Sequence, residues 1–207
     1  MCPPFLVPPF LVQKRGVIND PAVRLAEYRI SLRRWITEST FARMIIAEGS
    51  GSPVVDGELK RLAAEHGKEI VEAVYDLTAV TRRYGKGRAE AMLTDAAVPM
   101  LPEGVFYKAT GRLFVENIEA ILASGSTPDV VLRRQGPPYR VDTRFWKATK
   151  IHYSNVIAPL TDQIDDARIE TVIENIYPAS GEFVPRPVFA GRSATSGMLY
   201  DRPLLRE

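Results

Sequence analysis

The sequence predicts an α/β protein with a mostly parallel central sheet and helices on both faces. Two observations carry that expectation. Short apolar runs recur at Phe5–Val7, Phe41–Ala47 and Val130–Leu132, and Glu69–Tyr75 alternates apolar and acidic residues. The stretches between them carry helical periodicity and helix start and stop signals. Strands buried on both faces read as continuous apolar runs, and their alternation with helices marks a parallel layered sheet. The 207 residues, 45% hydrophobic and 25% charged, suit one domain spanning 1–207 with one core.

The opening Met1–Val12 is apolar but broken by Pro3, Pro4, Pro8 and Pro9. It has no basic n-region and no small-residue cleavage site, so no signal peptide is expected. No apolar stretch approaches the roughly 20 residues a membrane span needs. Asp20-Pro21 reads as an N-cap with proline at the first helical position. From there to Thr37 the apolar residues Val23, Leu25, Ala26, Ile30, Leu32, Trp35 and Ile36 fall largely on one stripe. Arg24, Arg29, Arg33 and Arg34 are expected mostly on the other side.

Phe41–Ala47 reads as a buried parallel strand. It ends in Glu48-Gly49-Ser50-Gly51, a carboxylate and small residues at the carboxyl end of a strand, where open α/β sheets bind ligands. A plain strand-to-helix loop is the alternative. Glu58–His66 reads as a helix with Gly67 at C′. Glu69–Tyr75 is the next strand. Tyr84-Gly85-Lys86-Gly87-Arg88-Ala89-Glu90 opens a helix running to about Ala97. This is no Walker A loop, yet its glycines can bring helix N-terminal amides near a phosphate.

Phe106–Asn117 concentrates chemistry. Lys108, Thr110, Gly111 and Arg112 place two cations, a hydroxyl and a glycine within five positions. The cations suit a phosphate or carboxylate, and a guanidinium can hold it with two parallel bonds. The alternative is a strand end and a turn with both cations solvated. A helix is expected over Val115–Ala123, ended by Gly125. A turn at Gln135–Pro138 and a strand or edge at Val141–Lys147 follow, leading into a helix with Ile151, Tyr153, Val156 and Leu160. A further helix is expected over Ile164–Tyr177. From about Pro178 a proline- and glycine-rich tail is expected to wrap the surface.

The net charge of +2, with no run of five like charges, gives no reason to expect nucleic acid. The single cysteine, Cys2, excludes an internal disulfide and a Cys-based zinc site and fits a reducing, cytoplasmic setting. His66 and His152 lie far apart, without ligand spacing. Phe145, Trp146 and Tyr153 could stack on a sugar or base, but core packing is the expected role.

Five features occur in the order seen in bacterial cell-surface polysaccharide glycosyltransferases with a GT-A-like nucleotide-sugar-binding fold. They are Arg24-x-x-x-Tyr28-x-x-Ser31-Leu32-x-x-Trp35, Glu48-x-Ser50-Gly51, Gly85-Lys86-Gly87-x-x-Glu90, Phe106-x-Lys108-x-Thr110-Gly111-Arg112, and Asp142-x-Arg144-Phe145 with a later Glu174 and Tyr177. The chain resembles that family over roughly residues 5 to 180. The resemblance implies Rossmann-like layering, a nucleotide-sugar donor held by its diphosphate, and a glycan or lipid-linked acceptor. It leaves peripheral membrane contact open.

One departure matters. The family's usual Asp-x-Asp metal motif falls where this chain has Lys108 to Arg112, and the late pair Asp165-Asp166 reads as two carboxylates at a helix start. A divalent metal therefore stays open but unsupported, and cations could neutralise the leaving diphosphate instead. The candidates for the acceptor's base are Asp142 and Glu174, with Glu48 behind them. The candidate donor and phosphate ligands are Glu48, Ser50, Gly51, Lys86, Lys108, Thr110, Gly111, Arg112 and Arg144. A non-catalytic nucleotide or sugar-phosphate binding module is the alternative. A sugar nucleotidyltransferase is a weaker one, because that class needs a glycine-rich basic loop after the first strand and Pro8-Pro9 does not supply it.

Overall fold

The computed structural model describes residues 5–7, 20–125, 129–134, 141–163, 181–191 and 199–203. Its centre is a seven-stranded sheet. The strands are β1 (Phe5–Val7), β2 (Arg43–Glu48), β3 (Glu69–Val74), β4 (Val105–Ala109), β6 (Val130–Arg134), β7 (Val141–Thr149) and β8 (Gly181–Glu182), in the order β3-β2-β1-β4-β7-β6-β8. Strands β3, β2, β1 and β4 run parallel to one another. Strand β7 runs antiparallel to both β4 and β6, and β8 pairs parallel with β6. The sheet is thus mixed. Its parallel half follows the sequence expectation, while β7, separated from β6 by the six residues 135–140, runs back antiparallel between β6 and β4. A separate antiparallel pair joins β5 (Leu113–Val115) to β9 (Phe189–Gly191).

Alternation along the strands builds two cores. Met44 and Ile46 of β2, Tyr107 and Ala109 of β4 and Phe145 of β7 pack with Leu32, Trp35 and Ile36 of α1 (Pro21–Glu38) and Leu59 of α2 (Gly57–Glu65). Ile45, Ala47, Phe106, Trp146 and Ala148 point the opposite way, onto Ala89, Leu93 and Ala97 of α4 (Lys86–Ala97). Helices therefore cover both faces. Phe145, Trp146 and Tyr153 are all buried in these cores, as their packing role requires.

Local signals explain the helix ends. Asp20 caps α1 by accepting from the Ala22 N–H at 2.8 Å, with Pro21 in the first turn. Asp56 caps α2 through Leu59 at 2.9 Å. Gly67, at φ +64°, ends α2 with the paired backbone bonds Gly67 N to Ala64 O and Lys68 N to Ala63 O.

Several sequence expectations change. On α1, Val23 is exposed, and Arg24 and Arg34 join Tyr28, Ser31, Leu32 and Trp35 on the buried side. The two arginines are buried because carboxylates and aromatic rings meet them there, which hydropathy periodicity does not register. The helix expected from Val115 begins at Ile118 (α5, Ile118–Ala123), since Leu113–Val115 is taken into β5. A short helix, α3 (Thr78–Tyr84), precedes α4 and was not foreseen. After β7 the chain makes a helical turn at Lys150–His152, then π and 3-10 turns to Gln163. The turn at Gln135–Pro138, the Asp165-Asp166 pair and the helix expected over Ile164–Tyr177 lie outside the described residues. Among the described residues, no helix is long and apolar enough to cross a membrane.

Candidate functional site

The parallel strands β1 to β4 all end on one edge of the sheet, and the antiparallel β7 begins there. Neighbouring strands lie about 4.8 Å apart, so the ends of β2 and β4, separated only by β1, are roughly 10 Å apart. Glu48-Ser50-Gly51, Lys108-Thr110-Gly111-Arg112 and Asp142-Thr143-Arg144 are therefore neighbours on that edge. The start of α1 and the start of α4 bring Arg24, Glu27, Lys86 and Glu90 to the same place.

Four cations gather there. Lys108 is 0% exposed; the β4 alternation sends its ammonium to the α4 side, where it pairs with Glu90 and donates to the Thr143 carbonyl at 2.7 Å. Arg112 is 5% exposed and donates from Nη1 to Glu27 Oε2 at 2.8 Å. Among the described residues this is the one hydrogen bond its guanidinium makes, so most of its five N–H donors remain available. Arg24 is 2% exposed and lies within electrostatic range of Arg112, Tyr28 and Glu48; burial, with the Arg112 charge, pushes its pKa down. Lys86, on the first turn of α4, reaches solvent and makes no hydrogen bond or ion pair among the described residues. Its pKa falls because surrounding protein displaces water and because Lys108, Arg112 and Arg24 repel its charge, against the pull of Glu90. Glu90 sits below its ordinary value: burial opposes that, but Lys108 and Lys86 outweigh it.

The alternative of two solvated cations is revised by these contacts, and Arg112 does not turn to Glu116, four positions further along the chain. Glu116 instead holds Arg34 at 2.6 Å, and Arg34 also grips Glu38 at 2.7 Å and lies over the Phe114 ring at 4.2 Å.

The β2 end is held by backbone. Glu48 is fully buried and accepts from the Ser50 N–H at 2.7 Å. Gly51, at φ +80°, donates to the Tyr75 carbonyl at 2.8 Å, which zips the loops after β2 and β3 together. Its backbone conformation favours glycine, while an added Cβ would make only ordinary contact with Asp76. The Ser50 hydroxyl is buried without a partner among the described residues.

On β7, Asp142 is buried and grips Arg144 with both oxygens: Oδ1 accepts from Nε at 2.8 Å and Oδ2 from Nη2 at 2.5 Å. Arg144 also lies over Phe189 at 4.7 Å and Tyr200 at 4.5 Å. The carboxylate offered as a base and the guanidinium offered as a phosphate ligand are thus bound to each other. Glu174, the other candidate base, lies outside the described residues. Thr110 donates its N–H to the Arg144 carbonyl at 2.7 Å, which ties the Arg112 turn to β7.

Four contributors escaped the sequence reading. Glu27 lies 85 positions from Arg112, so no local pattern links them. Arg24 and Glu90 belong to quoted motifs but were not assigned to the site; the spacing 24, 28, 31, 35 was the available signal, because it is one helical stripe. Gly191 packs so close to the turn that an added Cβ would lie 2.7 Å from the Arg112 carbonyl, and its φ is +124°.

A divalent metal does not suit this set. Thr110-Gly111-Arg112 offers a guanidinium where carboxylates are needed, with Lys108 and Lys86 beside it. Among the described residues, no three His, Cys, Asp or Glu side chains form a group that could hold a metal ion.

No protein-family model matches the chain, and no curated protein sequence does. Solved structures do. The glycosyltransferase GlyE in Streptococcus pneumoniae TIGR4 matches with a TM-score of 0.57 at 7% identity, over 88% of this chain and 45% of that one, so this chain spans less than half of its length. The inositol-1-phosphate CTP transferase from T. maritima matches at 0.54 and 14% identity, over 97% and 91%. The galactosyltransferase LgtC, in complex with donor and acceptor sugar analogs, matches at 0.50 and 6%, over 86% and 72%. At such identities the likeness speaks of architecture: the chain has the GT-A-like fold that these glycosyl- and nucleotidyltransferases share.

Proposed function

We propose that the chain is a cytoplasmic glycosyltransferase, moving a sugar from a nucleotide-sugar donor to a glycan or lipid-linked acceptor in surface polysaccharide synthesis. The observation that carries this reading is the cation cluster at the carboxyl edge of the sheet, with Arg112 buried yet using one hydrogen bond and Lys86 unpaired among the described residues. A guanidinium held in place by one hydrogen bond keeps the rest of its planar fork for the paired oxygens of a phosphate. A leaving nucleoside diphosphate gains negative charge as the glycosidic bond breaks, so cations fixed beforehand stabilise the transition state more than the bound donor. The GT-A-like fold and the motif order point the same way.

A second reading has one observation in its favour. The carboxylates at this edge already serve other groups: Asp142 holds Arg144, Glu27 holds Arg112, and Glu90 holds Lys108. A module that binds a nucleotide or sugar phosphate without catalysis needs no base. One experiment separates the two. A nucleotide-sugar panel is screened by thermal shift, and the ligands that bind are then assayed for release of nucleoside diphosphate. At a hundredfold excess over Kd a ligand of the native state adds about 2.7 kcal/mol, roughly 5–10 °C for a chain of this size. A shift with slow release supports the transferase, and a shift without release supports the module. A flat response across nucleotide sugars and nucleoside diphosphates refutes both.

A further inference from the structure

We infer that this site binds the diphosphate of its donor without a divalent metal, through Lys86 and the unused N–H donors of Arg112. The inference rests on the nucleotide-sugar reading above and adds to it the means of charge neutralisation.

Charge accounting at the edge carries the argument. Lys108 is committed to Glu90 and the Thr143 carbonyl, and it has no solvent exposure. Arg112 is held by Glu27 through Nη1 alone. Lys86 has no hydrogen-bonding partner among the described residues, and Glu90, Lys108, Arg112 and Arg24 are the charges acting on it. The anions Glu27, Glu48 and Glu90 are each engaged, by Arg112, the Ser50 N–H and Lys108. A dication entering here would meet two cations with donors to give, while Glu27 and Glu90 are already in ion pairs. A diphosphate would meet a compact ammonium and a planar fork, the two geometries that bind phosphate oxygens. Lys86 also stands on the first turn of α4, a helix of 12 residues, where the dipole favours an anion.

The test is calorimetric titration of the full chain with inorganic pyrophosphate, and with the nucleoside diphosphate giving the largest thermal shift. Each is run in EDTA and again in excess magnesium or manganese chloride. Binding in EDTA, no tighter when metal is added, is the expected result. Lys86→Met should weaken it about 10- to 100-fold, the loss of one charge-assisted contact. Lys86→Arg should retain most of it, and both variants should melt as the parent does because Lys86 reaches solvent. Binding that needs added metal overturns the inference and leaves the nucleotide reading standing. Binding of Lys86→Met equal to that of the parent overturns the assignment to Lys86. No binding under either condition overturns the diphosphate site together with the reading it rests on.

Discussion

Arg112 is held from one side. Its contact with Glu27 fixes where the guanidinium sits, and the carbonyl behind it is pinned by Gly191, where a Cβ would collide at 2.7 Å. Such a group is oriented before any ligand arrives, which is what transition-state stabilisation requires. Arg112→Lys keeps the charge and removes the fork. Turnover of the donor should fall about 100- to 1000-fold, about 2.7–4 kcal/mol of transition-state stabilisation. Melting should shift far less, since an ammonium can still reach Glu27. A variant that melts well below the parent yet turns over normally at low temperature would assign Arg112 to the fold alone. The sequence placed Arg112 at this edge through its strand, glycine and cation pattern. It could not supply Glu27, because a partner 85 positions away depends on how α1 lies across the sheet.

Helix α1 is the element that sets the turn. Ser31 Oγ donates to the Leu113 carbonyl at 2.6 Å, and Trp35 Nε1 donates to that same oxygen at 2.9 Å. Leu113 follows Arg112 directly, so one helical stripe reaches the turn at both ends: Glu27 at the guanidinium, Ser31 and Trp35 at the backbone. That stripe was legible as spacing but not as burial. Hydropathy placed Arg24 and Arg34 in water, whereas the fold surrounds them with Glu48, Glu38, Glu116 and the Phe114 ring. The shared carbonyl has a measurable consequence. Ser31→Ala leaves Trp35 bonded and should cost about 1 kcal/mol. Combined with Trp35→Phe, it strands a buried carbonyl, so the double variant should lose more stability than the two single losses added together. Denaturant titration of all four proteins reads this coupling. Strict additivity would mean that the two donors do not share one acceptor.

Across the whole molecule, the parallel half of the sheet was legible because strands buried on both faces are nearly all apolar, as Met44–Ala47 are. The β7 reversal was not, since direction depends on the connection rather than on residue type. The α3 turn was hidden for a similar reason: it has no buried residue and no side-chain cap. Lys108 was read as a ligand because a lysine at a strand end beside glycine suits phosphate. The structure gives it another task, joining the sheet to α4 through Glu90 across the second core. A buried ion pair is costly to break from one side and nearly neutral to replace whole. Glu90→Leu alone leaves a buried ammonium facing only the Thr143 carbonyl, and should cost about 3–5 kcal/mol, or roughly 6–20 °C in melting temperature. Glu90→Leu with Lys108→Met replaces both charges by apolar groups and should recover most of that loss. If Lys108 only joins layers, the double variant should also bind pyrophosphate within a few-fold of the parent, roughly 1 kcal/mol. Recovered melting with binding lost would return Lys108 to the phosphate site, while a single Glu90→Leu variant that melts like the parent would remove the ion pair from the account of stability.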